Sequence, residues 1–62
     1  MTRGPVYRVY ADAAGEWRWR LVAANGRIVA DSAEGYTREG DAVRAAETAA
    51  YLASVATVEM AP

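Results

Sequence analysis

The chain has 62 residues, with seven arginines against eight acidic residues, and it contains no cysteine, histidine or lysine. These absences exclude disulfides, a thiolate nucleophile, cysteine-ligated zinc, Schiff-base chemistry and a phosphate-binding P-loop, and they remove the usual general base near neutral pH. A net charge of −1 provides no overall field that would attract nucleic acid or an anionic membrane.

A hairpin is predicted near the N-terminus. Residues 6–11 and 16–24 alternate between two sets of side chains, one of them mainly apolar, as strands with one covered face do. Between them, Asp12 and Gly15 occupy the first and fourth positions of a type I turn. Gly15 also accepts the left-handed conformation that a three-residue hairpin loop requires.

A second hairpin and a third strand follow directly. The dipeptide Asn25-Gly26 is the strongest short signal for a two-residue turn, because both residues tolerate positive φ. Residues 27–32 form the returning strand. The sequence therefore predicts a three-stranded antiparallel meander.

Turn lengths also predict the register of the sheet. With a three-residue first loop, the residues paired across the first two strands have numbers that sum to 28, so Val9 lies opposite Trp19. With a two-residue second loop, the residues paired across the second and third strands have numbers that sum to 51, so Ala23 lies opposite Ile28 and Trp19 opposite Ser32. Both hairpins then place their apolar side chains on one shared face, which supports this register.

A helix is predicted over about residues 38–53, a segment rich in alanine, glutamate and arginine. Thr37 is its expected N-cap, and Glu39 and Asp41 in the first turns complement the helix dipole. The alanine-rich face of this helix allows a close approach to the sheet.

The core is expected between this helix and the apolar face of the sheet. Alternate aromatic residues on a face shared with leucine are more typical of a core than of a base-stacking platform. The predicted core residues are Tyr7, Val9, Trp17, Trp19, Leu21, Ile28, Val43, Ala46 and Ala50.

The last segment has the character of a strand rather than a continued helix, because it alternates and is rich in valine and threonine. Such a strand needs a sheet edge with which to pair. The chain is also short, and without disulfide or metal a core of this size favours self-association. The predicted strand comprises Val55, Ala56, Thr57, Val58, Glu59 and Met60.

Several short motifs occur together along the chain: Gly-Glu-Trp-Arg-Trp-Arg-Leu over 15–21, Asn-Gly at 25–26, Ala-Asp-Ser at 30–32 and Gly-Tyr-Thr at 35–37. Their combination and spacing closely resemble the YegP-like domains of unknown function. The resemblance implies an α+β fold built as a β-β-β-α-β unit. Such units occur as tandem repeats or as homodimers in which two units form one sheet and exchange their C-terminal strands, and because this chain holds one unit the resemblance implies the homodimer. It provides no catalytic residue to carry over.

The other face of the sheet is the candidate ligand face. An anionic ligand or single-stranded nucleic acid could be bound by guanidinium groups, with a tyrosine to stack on a base. The favoured interpretation is a solvated face on which arginine stems cover apolar surface and Asp31 pairs with Arg20, and a protein-contact face is a further alternative. The residues of this predicted face are Arg8, Tyr10, Arg18, Arg20 and Arg27.

No catalytic, cofactor or metal site is expected. Ser32 beside Asp31 lacks a histidine or lysine to activate it, so a cross-strand hydrogen bond is its expected role. The carboxylates lack the ligand spacing of a cation-binding loop. The sequence predicts a single non-enzymatic domain, a homodimeric interaction or binding module, with an enzyme as a remote alternative. Without a membrane span or signal core, a cytoplasmic location is expected.

Overall fold

The computed structural model describes residues 4–62, in which a three-stranded antiparallel sheet is followed by one helix. Residues 1–3 of the predicted domain lie outside the described residues. The strands lie in sequence order in the sheet, as the meander predicts. The elements are β1 (Val6–Ala11), β2 (Trp17–Val22), β3 (Ile28–Asp31) and α1 (Glu39–Val55).

The first hairpin has the predicted loop and register. The Asp12 N–H donates to the Glu16 carbonyl at 2.8 Å, the Gly15 N–H donates to the Asp12 carbonyl at 3.0 Å, and Gly15 has φ +84°. Every β1–β2 pair has residue numbers that sum to 28, including Val9 opposite Trp19.

The second hairpin differs from its prediction. The Ala23 N–H donates to the Arg27 carbonyl and the Gly26 N–H to the Ala23 carbonyl, both at 2.8 Å, so the loop contains three residues rather than two. Gly26 has φ +89°, whereas Asn25 does not have positive φ. The Asn25 side chain instead accepts a hydrogen bond from the Arg27 N–H at 3.0 Å. Both hairpins therefore use the same turn, closed by a left-handed glycine.

A β-bulge in β3 shifts the register by one residue, so that beyond it β2 and β3 pair as predicted. Val22 lies opposite Ile28, but Leu21 lies opposite Ala30, so β3 accommodates one extra residue, Val29. Because opposed residues share a face, Ile28 lies with Val22 on the side away from the helix. The prediction that Ile28 belongs to the core is therefore wrong: 56% of its surface is exposed.

The helix packs on the face that carries the tryptophans, where Tyr7 and Val9 are half-buried while Val6 and Arg8 are exposed. It contacts β1 and β2 but not β3. The inner side of β3 is consequently uncovered, and Ala30 is exposed.

Small residues make the helix contact. Ala42 and Ala46 are buried and Ala50 is half-buried, as a close helix–sheet approach requires. Because Ala42 and Ala46 face the sheet, Val43 lies at the side of the helix with 38% of its surface exposed. The prediction that Val43 is a core residue is therefore wrong. Trp17, Trp19 and Leu21 are only half-buried, and among the described residues no large side chain is fully buried.

Both ends of the helix differ from the prediction. Arg38, not Thr37, is the N-cap, and its side chain makes no capping hydrogen bond. At the other end α1 includes Val55, and Ala56 leaves it in an extended conformation with φ −75° and ψ 151°. The segment 56–62 forms neither helix nor strand. The strand predicted at 55–60 is therefore not formed among the described residues of this single chain.

Two residues after β3 extend the pairing along β2. The Ser32 N–H donates to the Trp19 carbonyl at 2.8 Å, and the Trp19 N–H donates to Ser32 Oγ at 3.2 Å. Trp17 and Tyr36 then exchange backbone hydrogen bonds of 2.7 and 2.8 Å. The Ser32 hydroxyl thus takes the place of a backbone carbonyl. It forms the cross-strand hydrogen bond that the sequence predicts for this serine.

Candidate ligand face

The face of the sheet away from the helix is open, and we call it the outer face. Alternation along each strand and the observed register bring its side chains together. It carries three arginines, a tyrosine, an aspartate and a group of aliphatic residues. They are Val6, Arg8, Tyr10, Arg18, Arg20, Val22, Ile28, Val29 and Asp31.

The structure separates Arg27 from the other predicted members of this face. The three-residue loop pairs Arg27 with Ala23, which lies on the helix side of β2. Because opposed residues share a face, Arg27 lies on the side opposite Arg8, Arg18 and Arg20. The same change of register that brings Ile28 to the outer face thus removes Arg27 from it.

Arg18 is neutralised at one end of the outer face. Its Nε donates to Asp12 Oδ2 at 2.6 Å, and its Nη2 lies 3.7 Å from Glu16 Oε1. The other Asp12 oxygen accepts from the Ala14 and Glu16 N–H groups, both at 2.9 Å. The Arg18 hydrogen bond is the main cause that lowers the pKa of Asp12, and the bond to Asp12 raises the pKa of Arg18.

Arg8 and Arg20 occupy the middle of the outer face. They are directly opposed on β1 and β2. The Arg20 guanidinium lies 4.1 Å from the centre of the Tyr10 ring, which is a cation–π contact. Asp31 lies opposite Arg20 in the register, yet among residues 4–62 neither Arg8 nor Arg20 has a carboxylate within ion-pair distance.

Aliphatic residues occupy the other end of the outer face. Val6, Ile28 and Val29 are 40%, 56% and 64% exposed. Beside them is a shallow concavity of about 150 Å³, with Arg8 and Val22 on its wall. Its lining is Gly4, Val6, Arg8, Val22, Ala23, Ala24 and Gly26.

Sequence reasoning missed two features of this face. The aliphatic end depends on the bulge at Val29, for which the sequence has no distinct signal. The Asp12–Arg18 pair could have been found, because a hairpin loop at 13–15 brings an aspartate at its start close to the second strand.

Ser32 and the acidic residues are the other candidates that the sequence offers. Ser32 is buried in the backbone network, and no group of three acidic side chains within residues 4–62 could hold a metal ion. No helix over residues 4–62 is long and apolar enough to cross a membrane.

Comparisons with known proteins agree on one family. Residues 12–59 match the model of a domain of unknown function, DUF1508. Two proteins of Neisseria meningitidis are similar, UPF0339 protein NMB1088 of serogroup B and UPF0339 protein NMA1193/NMA1859 of serogroup A. Each is 58% identical over 31 residues, which are 50% of this chain and 54% of the relative. The match thus spans about half the length of these relatives.

A solved structure is similar over nearly the whole chain. It is the NMR solution structure of a protein from Haloferax volcanii, 41% identical, with a TM-score of 0.80. The alignment covers 95% of this chain and 98% of that one. This agreement supports the three strands and the helix described above.

Proposed function

Because the chain belongs to the DUF1508 family, whose function is unknown, we propose a role from its own surface: a non-enzymatic, homodimeric interaction module. In this proposal the C-terminal segment pairs with a sheet edge of a second copy. The main support is the large accessible surface of the single chain, together with its exposed large hydrophobic residues.

The accessible surface of the chain is larger than its mass predicts. It measures 5109 Å², about 1,200 Å² more than the roughly 3,900 Å² of a typical folded monomer of this mass. A standard dimer interface buries about 800 Å² on each partner. The excess is therefore large enough for one side of a dimer interface.

Exposed apolar residues are also present on the helix and continue into the C-terminal segment. The helix leaves the inner side of β3 uncovered, and its own Tyr51, Leu52 and Val55 are 66%, 55% and 60% exposed. In the following segment, Val58 and Met60 are 99% and 89% exposed. Patches of this kind mark interaction sites on soluble proteins.

The sheet offers edges to which a strand could be added. β1 and β3 are both edge strands, and β3 carries neither proline nor lysine to block pairing. The segment 56–62 pairs with no strand among the described residues, and its sequence alternates as that of a strand does. Pairing this segment with a partner would hydrogen-bond its backbone and cover its valine and methionine.

Light scattering tests the dimer directly. We expect twice the chain mass of 6.7 kDa and an unfolding midpoint that rises with protein concentration. Removal of residues 56–62 should yield a monomer. A folded dimer of the shortened chain would contradict strand exchange.

A pair of point variants tests the alternation of the segment. Val58→Asp should weaken the dimer by on the order of a hundredfold or more, because each of two symmetric valines loses about 1.5–3 kcal/mol of burial. Thr57→Asp adds the same charge on the opposite side of the strand and is the control. Equal weakening by both variants would argue against a paired strand at this position.

A further inference from the structure

The outer face has two arginines that the fold itself does not neutralise. Arg18 is held by Asp12 at 2.6 Å, whereas Arg8 and Arg20 have no carboxylate within ion-pair distance among the described residues. Like charges directly opposed on neighbouring strands destabilise a sheet. The opposition of Arg8 and Arg20 therefore carries an electrostatic cost in the ligand-free sheet.

Tyr10 holds one of these charges in place. The Arg20 guanidinium lies 4.1 Å from the centre of the Tyr10 ring. Stacking on an aromatic ring limits the freedom of a guanidinium and leaves its N–H groups available at the edge. Less conformational entropy is then lost when those N–H groups bind an anion.

A shallow concavity of mixed polarity lies beside Arg8, one of the two arginines. Its volume is about 150 Å³, Val6 and Val22 line it, and Arg8 belongs to its wall. The open space can accept a short alkyl chain or a small ring. A ligand that uses both features needs an anionic head and a compact apolar part.

We propose that Arg8 and Arg20, with Tyr10 behind Arg20, bind the phosphate of a small organic phosphate monoester whose apolar part lies against Val6 and Val22. Two guanidinium groups match the charge of a monoester, which is close to −2 at pH 7. Planar guanidinium forks also match the geometry of phosphate oxygens. Strand addition at a sheet edge leaves this face open, so the site is independent of the proposed dimer.

The arrangement favours a monoester over single-stranded nucleic acid. A nucleic-acid groove follows a backbone with several cations and offers aromatic rings for stacking. Here Arg18 is neutralised, Arg27 lies on the other face, and the Tyr10 ring is covered by Arg20. The positive charge that is not neutralised on this face is therefore that of Arg8 and Arg20 alone, which suits one phosphate group better than a polynucleotide backbone.

Titration followed by amide and arginine side-chain NMR tests the site, with butyl phosphate, inorganic phosphate and a single-stranded oligonucleotide as probes. Butyl phosphate should shift the Arg8 and Arg20 side-chain signals and bind more tightly than inorganic phosphate. Arg8→Gln and Arg20→Gln should each weaken butyl phosphate binding about tenfold or more, because each removes a charge-assisted hydrogen bond. Arg38→Gln, on an exposed arginine before the helix, is the matched control and should leave affinity unchanged.

Thermal stability provides a second measurement. Relief of repulsion between opposed charges should raise the midpoint of ligand-free Arg8→Gln by about 1–8 °C. Butyl phosphate should then stabilise the unaltered protein more than this variant. A lower midpoint for the ligand-free variant would indicate that Arg8 stabilises the fold and would overturn the proposal.

Three other results would also overturn it. The first is equal affinity of the Arg38→Gln and Arg20→Gln variants for butyl phosphate. The second is the absence of shifts at Arg8 and Arg20. The third is an oligonucleotide that binds more tightly than butyl phosphate and loses affinity steeply with salt, which would indicate a nucleic-acid surface instead.

Discussion

Replacement of Ser32 by alanine tests whether a side chain completes the backbone network of the sheet. Ser32 is 6% exposed, and its Oγ accepts the Trp19 N–H at 3.2 Å. Alanine removes this acceptor but keeps the backbone bond from Ser32 to the Trp19 carbonyl. Because a protected N–H without a partner costs about 1–3 kcal/mol, we expect a loss of stability of that size. For a domain this small, the midpoint should fall by roughly 4–8 °C per kcal/mol.

Thermal unfolding at one fixed protein concentration measures this loss, and Ser54→Ala is the control. The Ser54 hydroxyl donates to the Tyr51 carbonyl at 2.6 Å on the exposed side of the helix, so its removal should change stability by less than about 0.5 kcal/mol. Amide hydrogen exchange gives a local readout: the Trp19 N–H should exchange faster in Ser32→Ala. Equal losses in the two serine variants, or unchanged exchange at Trp19, would refute the reasoning.

Two further predictions concern the hairpin loops. Gly26→Ala should destabilise the protein by about 1–2 kcal/mol in urea unfolding, because φ is +89° at this position. Gly4→Ala is the control and should have little effect, since a Cβ there meets no other atom within 4 Å. Equal losses of stability in the two variants would contradict the turn assignment. Asp12→Asn should destabilise the protein at pH 7. Because Arg18 lowers the folded pKa of Asp12 below 3.8, this stabilisation is present above pH 3.8 and is lost as the pH falls through the folded pKa. The stability difference between the two proteins should therefore shrink in acid, whereas a difference that does not change with pH would exclude the ionised carboxylate as its cause.

Local signals in the sequence were enough to predict most of the first hairpin. Asp12 and Gly15 define a turn with few alternatives, and the alternation of Val9 and Trp19 permits one register. The same reasoning failed at Asn25-Gly26, because this dipeptide suits both a two-residue loop and the last part of a three-residue loop. The difference of one residue moved Ile28 to the outer face.

The candidate site was likewise predictable from the sequence only in part. Alternation correctly placed Arg8, Tyr10, Arg18 and Arg20 on one face. It could not indicate which of these arginines would be neutralised, because the Asp12–Arg18 pair depends on how the loop folds back on β2. The opposition of Arg8 and Arg20 followed from the register, but the contact with Tyr10 required side-chain positions.

The composition of 62 residues without cysteine, histidine or lysine by itself excluded disulfides, thiolate or imidazole chemistry and lysine Schiff bases within this chain. Periodicity and turn residues determined the β-β-β-α order, since both act over a few neighbouring residues. Only the tertiary structure decided which face of the alanine-rich helix packs on the sheet. It also left Val43 and Ile28 exposed. Those outcomes depend on the helix position and on a bulge, which arise from packing between residues distant in sequence.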